Sequence, residues 1–168
     1  MGTGQLEVVA DAGPLIHLAE IKQITLLEIF DAIHIPDAVW QETVGQKRIS
    51  VTDLQVLPNT YRHTFSDHDV ADFIRNHHLT HLHTGERACL YLCQKINVFT
   101  LLTDDLSVRA AVKQRNWQPV GSLGIIVRAY KVGKISLPDA VQYLNQLYEA
   151  STLFVTRAII DLALQQLR

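Results

Sequence analysis

Short apolar runs alternate with helical stretches along the whole chain, and no other feature restricts the fold as much. "LEVVA" (6–10), "AIHIP" (32–36), "LQVLP" (54–58), "VFTLL" (98–102) and "QPVG" (118–121) each read as one short strand. In "VFTLLTDDLSV", Val98, Phe99, Leu101 and Leu102 predict a strand buried on both faces. The segments between read as helices. "LIHLAEI" follows Gly13-Pro14, and "ITLLEIF" is a second helical piece. Pro36-Asp37 open a helix through "AVWQETV" that stops near Gly45. "SDHDVADFIRNHH" starts on a Ser66-to-Asp69 capping pattern, and "TGERACLYLCQKI" on Thr84 as cap. "LSVRAAVKQRN", "SLGIIVRAYKVG", "LPDAVQYLNQLYEA" and the amphipathic tail "TRAIIDLALQQL" complete the set. Parallel strands need crossover helices, so this order predicts an α/β fold: a three-layer arrangement with a central parallel sheet flanked by helices. The stretch 45–65 is the least periodic and reads as a loop apart from its one apolar run.

The 168 residues suit one domain with a substantial core, and 48% of them are hydrophobic. We expect 1–150 to form the domain proper and 151–168 a C-terminal helical extension packed on it. A net charge of −2 excludes a globally basic nucleic-acid coat, so any such binding must use local patches. "MGTGQLEVVADAG" has neither a basic n-region nor a long apolar h-region, and Met1-Gly2 lack the Ser or Thr of a myristoylation signal. No apolar run is long enough to span a bilayer, so the expectation is a cytoplasmic protein without membrane contact. Cys89 and Cys93 share one helix face with apolar neighbours, which predicts reduced, buried thiols.

The question raised by "LLTDDL" is why an apolar strand ends on adjacent aspartates. Ligands of open α/β sheets bind at the carboxyl ends of the strands. Asp11 ends one strand there, and Asp104-Asp105 end another. Glu42 lies about a turn into the helix after "AIHIP". Glu86 lies in the first turn of the helix that feeds the aspartate strand, beside Gly85. Carboxylates converging from these places make an oxygen-ligand cage for Mg²⁺ or Mn²⁺, and such an ion offsets the charge repulsion. Ordinary alternatives stand beside this reading: Asp11 as a turn residue or helix cap, an aspartate of the 104–105 pair as the cap of the next helix, Glu42 as a solvated helix acid, Glu86 as a partner of the helix dipole.

Five segments in this order resemble a PIN domain, in the prokaryotic branch that includes VapC-type toxins. They are "VVADAGPLIHLAEI", "IPDAVWQETV", "LHTGERACLYL", "LLTDDLSVRAA" and "PVGSLGIIVRAYKVGKIS". The third carries Gly-Glu where aspartate is more usual, as in a PIN-like subfamily with a double Asp in the fourth. The similarity spans roughly residues 6–148. It implies a Mg²⁺- or Mn²⁺-dependent endoribonuclease, the toxin of a type II toxin–antitoxin pair, cytoplasmic, with RNA as substrate, an antitoxin as partner and a homodimer as the assembly. By position, Asp11, Glu42, Glu86 and Asp105 take the catalytic, metal-holding roles. Asp104 is a second ligand or the helix cap, and Thr103 orients a carboxylate through its hydroxyl. The chemistry implied is in-line attack of activated water on a phosphodiester. The longer side chain at Glu86 leaves metal number and activity open. The alternative function is a catalytically silent RNA- or protein-binding module. Receiver-type and haloacid-dehalogenase-type phosphotransfer fit poorly, since Asp11 is followed by Ala12-Gly13 and no early aspartate pair exists.

Basic residues past the aspartates are candidates for phosphate binding. Arg109 and Lys113 share a face, with Arg109 one turn beyond Asp105; Arg128, Lys131 and Lys134 share another. The histidines of "NHHLTHLH" (76–83) match no metal-ligand spacing and read as a polar helix end, with a minor site role open to His83 beside Glu86. Trp40, Trp117 and Tyr130 read as core or interface residues. "IIVRAY" and "AIIDLAL" are the apolar stretches that would serve either a dimer or the core.

Overall fold

The computed structural model describes residues 4–168, so the readings of Met1 and Gly2 lie outside the described residues. Five strands form one sheet in the order β3-β2-β1-β4-β5. They are β1 (Glu7–Ala10), β2 (Ala32–Pro36), β3 (Thr60–His63), β4 (Thr100–Leu102) and β5 (Gln118–Val120), and every pairing is parallel. Helices flank the sheet, so the chain has the three-layer α/β architecture. From β1 the chain steps one way to β2 and β3, and later the other way to β4 and β5. The carboxyl ends of β1 and β4 therefore border the point where strand order reverses, which in open α/β sheets is the ligand-binding crevice.

The helices are α1 (Ala12–Glu20), α2 (Asp37–Trp40), α3 (Val51–Gln55), α4 (Asp67–Asn76), α5 (Thr84–Ile96), α6 (Leu106–Gln114), α7 (Ser122–Lys131), α8 (Leu137–Ala150) and α9 (Arg157–Gln165). The stretch Ile24–Ile29 is a 3₁₀ helix, and α2 runs directly into a π-helical turn, Gln41–Gly45. α5 packs on β1, β2 and β4, while α7 packs on α1, α8 and α9. The central strands bury Val8, Val9, Ala10, Ile33, Ile35, Leu101 and Leu102. α9 sinks Ile160 and Ala163 into the structure and leaves Ile159 and Leu162 exposed. No helix among the described residues is long and apolar enough to cross a membrane.

Several local expectations are corrected. Residues 54–58 are not a strand. Ser50 and Asp53 form a reciprocal cap, Ser50 Oγ accepting from Asp53 N at 3.0 Å, and this turns "VTDLQ" into α3 and moves the strand to Thr60–His63. The stretch 45–65 is thus structured rather than a loop. The cap of α5 is His83, one residue before Thr84. Phe99 is 44% exposed, because it precedes β4 and stacks on Trp117 instead of entering the core. Ile125, Ile126 and Val127 of "IIVRAY" are consumed by the core, so that stretch offers no dimer face. Cys89 and Cys93 are free and buried, as expected.

Candidate active site

The reversal point is where two strand ends are stitched together. Val9 pairs with Leu101 and Ala10 with Leu102, which brings the residues after them side by side. Asp11 N donates to Leu102 O at 2.9 Å. Asp11 is the N-cap of α1: its Oδ1 accepts from Ala12 N at 2.8 Å. Its Oδ2 accepts from the Thr103 hydroxyl at 3.0 Å, and the same Thr103 oxygen accepts from Asp105 N at 3.3 Å. Fully buried Thr103 thus links the two strand-end acids.

Adjacent Asp104 and Asp105 point to different tasks. Asp105 caps α6, its Oδ1 accepting from Val108 N at 3.0 Å. Asp104 is held on both oxygens. Oδ1 accepts from Ser122 N at 2.7 Å, and Oδ2 accepts from Ser122 Oγ at 2.6 Å and lies 2.7 Å from His17 Nδ1. A Cβ on Gly121 would come within 2.8 Å of Asp104 Oδ1, so the missing side chain there is what admits the aspartate.

The remaining acids come from helices. Glu42 sits in the π-helical turn after α2, where Thr43 Oγ1 donates to Val39 O at 2.8 Å. Glu86 lies in the first turn of α5, its Oε2 accepting from His83 N at 2.8 Å. An added Cβ on Gly85 would stand 2.8 Å from Glu42 Oε2, so Gly85 is the opening through which the Glu42 carboxylate reaches α5.

Asp11, Glu42, Glu86, Asp104 and Asp105 all line one cavity of about 320 Å³, together with Gly13, His17, His83 and the segment Thr152–Phe154. Among the described residues no Lys or Arg lines it. Arg109 turns its guanidinium to Thr103 O at 3.2 Å, and Lys113 is exposed on the next turn; neither borders the cavity. His77 bonds to Phe73 O at 2.8 Å, and of the 76–83 histidines only His83 reaches the cavity. Two contributors carried little or no sequence signal. His17 is a polar residue among Leu15, Ile16 and Leu18 on α1, four positions past Gly13. Thr152–Phe154 arrive only through tertiary packing, with Thr152 N and Oγ1 donating to Glu20 at 3.0 and 2.6 Å.

The electrostatics of this arrangement are unbalanced. Asp11 is 6% exposed, and burial pushes its carboxyl from the ordinary 3.8 up to about 7. The bonds from Ala12 and Thr103 pull it down, while the charges of Glu86 and Glu42 push it further up. An all-oxygen, acidic donor set without a cationic side chain suits a hard divalent cation. The space left at Gly85 for Glu42 points the same way. Among the described residues, no group of three or more His, Cys, Asp or Glu side chains is placed to hold a metal ion, so the fit lies in charge and donor chemistry alone.

Acidic residues gathered on a reversal-point crevice of a parallel sheet define an α/β protein of the acid-site class. A family model described as a PIN domain matches residues 7–168, and the chain belongs to that family. PIN domains are generally nucleases, and such nucleases generally use divalent metals. No curated protein matches the chain.

Proposed function

We propose that this chain is a Mg²⁺- or Mn²⁺-dependent endoribonuclease and the toxin of a type II toxin–antitoxin pair, working in the cytoplasm. The observation that carries the reading is the convergence of five carboxylates from four places in the chain on one cavity that, among the described residues, no Lys or Arg lines. Asp11, Glu42, Glu86 and Asp105 would hold the ion. When bound, the cation supplies Lewis acidity toward a phosphate oxygen and acidifies a water. Thr103 holds Asp11 and the start of α6 in register through its hydroxyl. Asp104 serves as a positioning residue: it holds Nδ1 of His17 at 2.7 Å and leaves the other ring nitrogen as the one available for proton exchange. Arg109 and Lys113 meet the phosphates of flanking nucleotides along α6, outside the cavity. Ile159 and Leu162 of α9 are exposed apolar residues that a homodimer or an antitoxin would use.

The test is cleavage of a mixed pool of structured RNAs with Mg²⁺, with Mn²⁺ or with EDTA. Wild type cuts with metal, and both EDTA and Asp11→Asn abolish cutting. Expression of wild type, but not of the variant, arrests growth. Cutting that persists in Asp11→Asn refutes the assignment of the acids. A folded wild type that never cuts, even at high concentration, replaces the nuclease by a silent binding module.

A further inference from the structure

The cavity has an acidic floor and an apolar rim. Phe154 borders it and is 98% exposed, the most exposed of the large hydrophobic residues. A ring left wholly in water gives up the burial that places most phenylalanines inside. It is not on a free end. Ser151 Oγ donates to Leu147 O at 2.5 Å and accepts from Leu153 N at 3.2 Å. Thr152 is bonded twice to Glu20 of α1, and Thr156 caps α9 by accepting from Ile159 N at 3.4 Å. The segment between α8 and α9 is therefore fastened on both sides of Phe154, and the ring is presented at the mouth of the acidic crevice. Leu106, next to Asp105, is 82% exposed as well.

Resting on the nuclease reading, we propose that Phe154 is a stacking platform for an unpaired base beside the scissile phosphate, so that the site takes single-stranded RNA in preference to duplex. Among the described residues the cavity wall offers no Lys or Arg to add to the ion's pull on a phosphate, so the face of a base is the further source of affinity at this point. Every base has a π-face, which makes such a platform tolerant of sequence. A base within a duplex is already stacked and cannot use it. The rigid tether matters because an aromatic ring fixed in advance loses little freedom on binding.

The experiment is binding by fluorescence anisotropy of a labelled twelve-nucleotide single-stranded RNA of mixed sequence, and of the same strand in a blunt duplex, in Mg²⁺. Wild type is compared with Phe154→Ala and Phe154→Trp. Because the ring contacts solvent almost entirely, neither variant has a packing reason to unfold. Phe154→Ala binds the single strand about 5- to 100-fold more weakly, and Phe154→Trp restores binding and gains an indole emission that RNA quenches. Wild-type binding of the duplex lies within a few-fold of the Phe154→Ala value for the single strand. Unchanged affinity in Phe154→Ala, or no RNA binding by wild type, overturns the proposal. So does a loss of self-association with RNA binding intact, which makes the ring a protein contact. Binding that depends on Phe154 without any cleavage refutes the nuclease reading and leaves the platform standing.

Discussion

Asp11→Asn separates function from stability with opposite signs. In wild type the native carboxyl titrates near 7 and the unfolded one near 3.8. Between those values the native state binds more protons than the unfolded state, so stability falls as pH rises from about 4 to about 7 and is flat above. At about 1.4 kcal/mol per pH unit, the gap amounts to roughly 4 kcal/mol of destabilisation in the ion-free protein at about pH 8. Asparagine removes the charge. Its Oδ1 still accepts from Ala12 N, and its amide gives the Thr103 hydroxyl a donor in place of an acceptor. Desolvating the amide takes back part of the gain, so the variant is more stable by about 1–3 kcal/mol in EDTA at about pH 8. Near pH 5 the charge penalty in wild type falls to less than half, so the advantage vanishes or reverses. Millimolar Mg²⁺ reverses the order, because only wild type gains stability by binding the ion. Urea denaturation followed by circular dichroism, at both pH values with and without Mg²⁺, reads all of this. The difference between the two proteins also cancels His63, whose titration burial pushes below the ordinary 6.5. A variant no more stable than wild type at pH 8 in EDTA, or an advantage equal at both pH values, refutes the argument.

Other expectations follow from single contacts. Gly85→Ala drives a Cβ to 2.8 Å from Glu42 Oε2 and displaces that flexible carboxylate. Stability in urea changes by less than about 1 kcal/mol, while metal-dependent cleavage falls on the order of 100-fold; equal cleavage rates would remove Glu42 from the site. Thr103→Val strips Asp11 Oδ2 of its hydroxyl donor, costing about 1–3 kcal/mol in ion-free urea melts at pH 8 and less at pH 5. Burial pushes the Cys93 thiol up to about 12 and Cys89 well above its ordinary value. Neither thiol reacts with a disulfide reagent at neutral pH until urea unfolds the chain, and a fast-reacting thiol in the native protein would contradict the packing of α5.

The parallel sheet could be read from the chain because each central strand is a short apolar run with a helix pattern after it. The acids could be found for the same reason: strand ends are visible in sequence, and α/β topology says that strand ends meet. What stayed hidden depends on contacts between distant segments. Nothing near Asp104 in the chain announces that Ser122 and His17 hold both of its oxygens, so it could not be told apart from Asp105. Likewise, the apolar run at 54–58 spoke for a strand, and the Ser50–Asp53 cap, a stronger local preference, made its first half helical. Phe154 lies in a tail that pattern reading treats as an appendage, and only the pairing of Thr152 with Glu20 brings it to the crevice.

The pairing of β1 with β4 also sets when the site comes into being during synthesis. Asp11 leaves the ribosome early, but its Thr103 partner and Asp105 lie some 90 positions later. Until β4 has emerged and inserted beside β1, a growing chain carries Asp11, Glu42 and Glu86 with no strand end opposite them. The acidic crevice is therefore incomplete until most of the protein has been made.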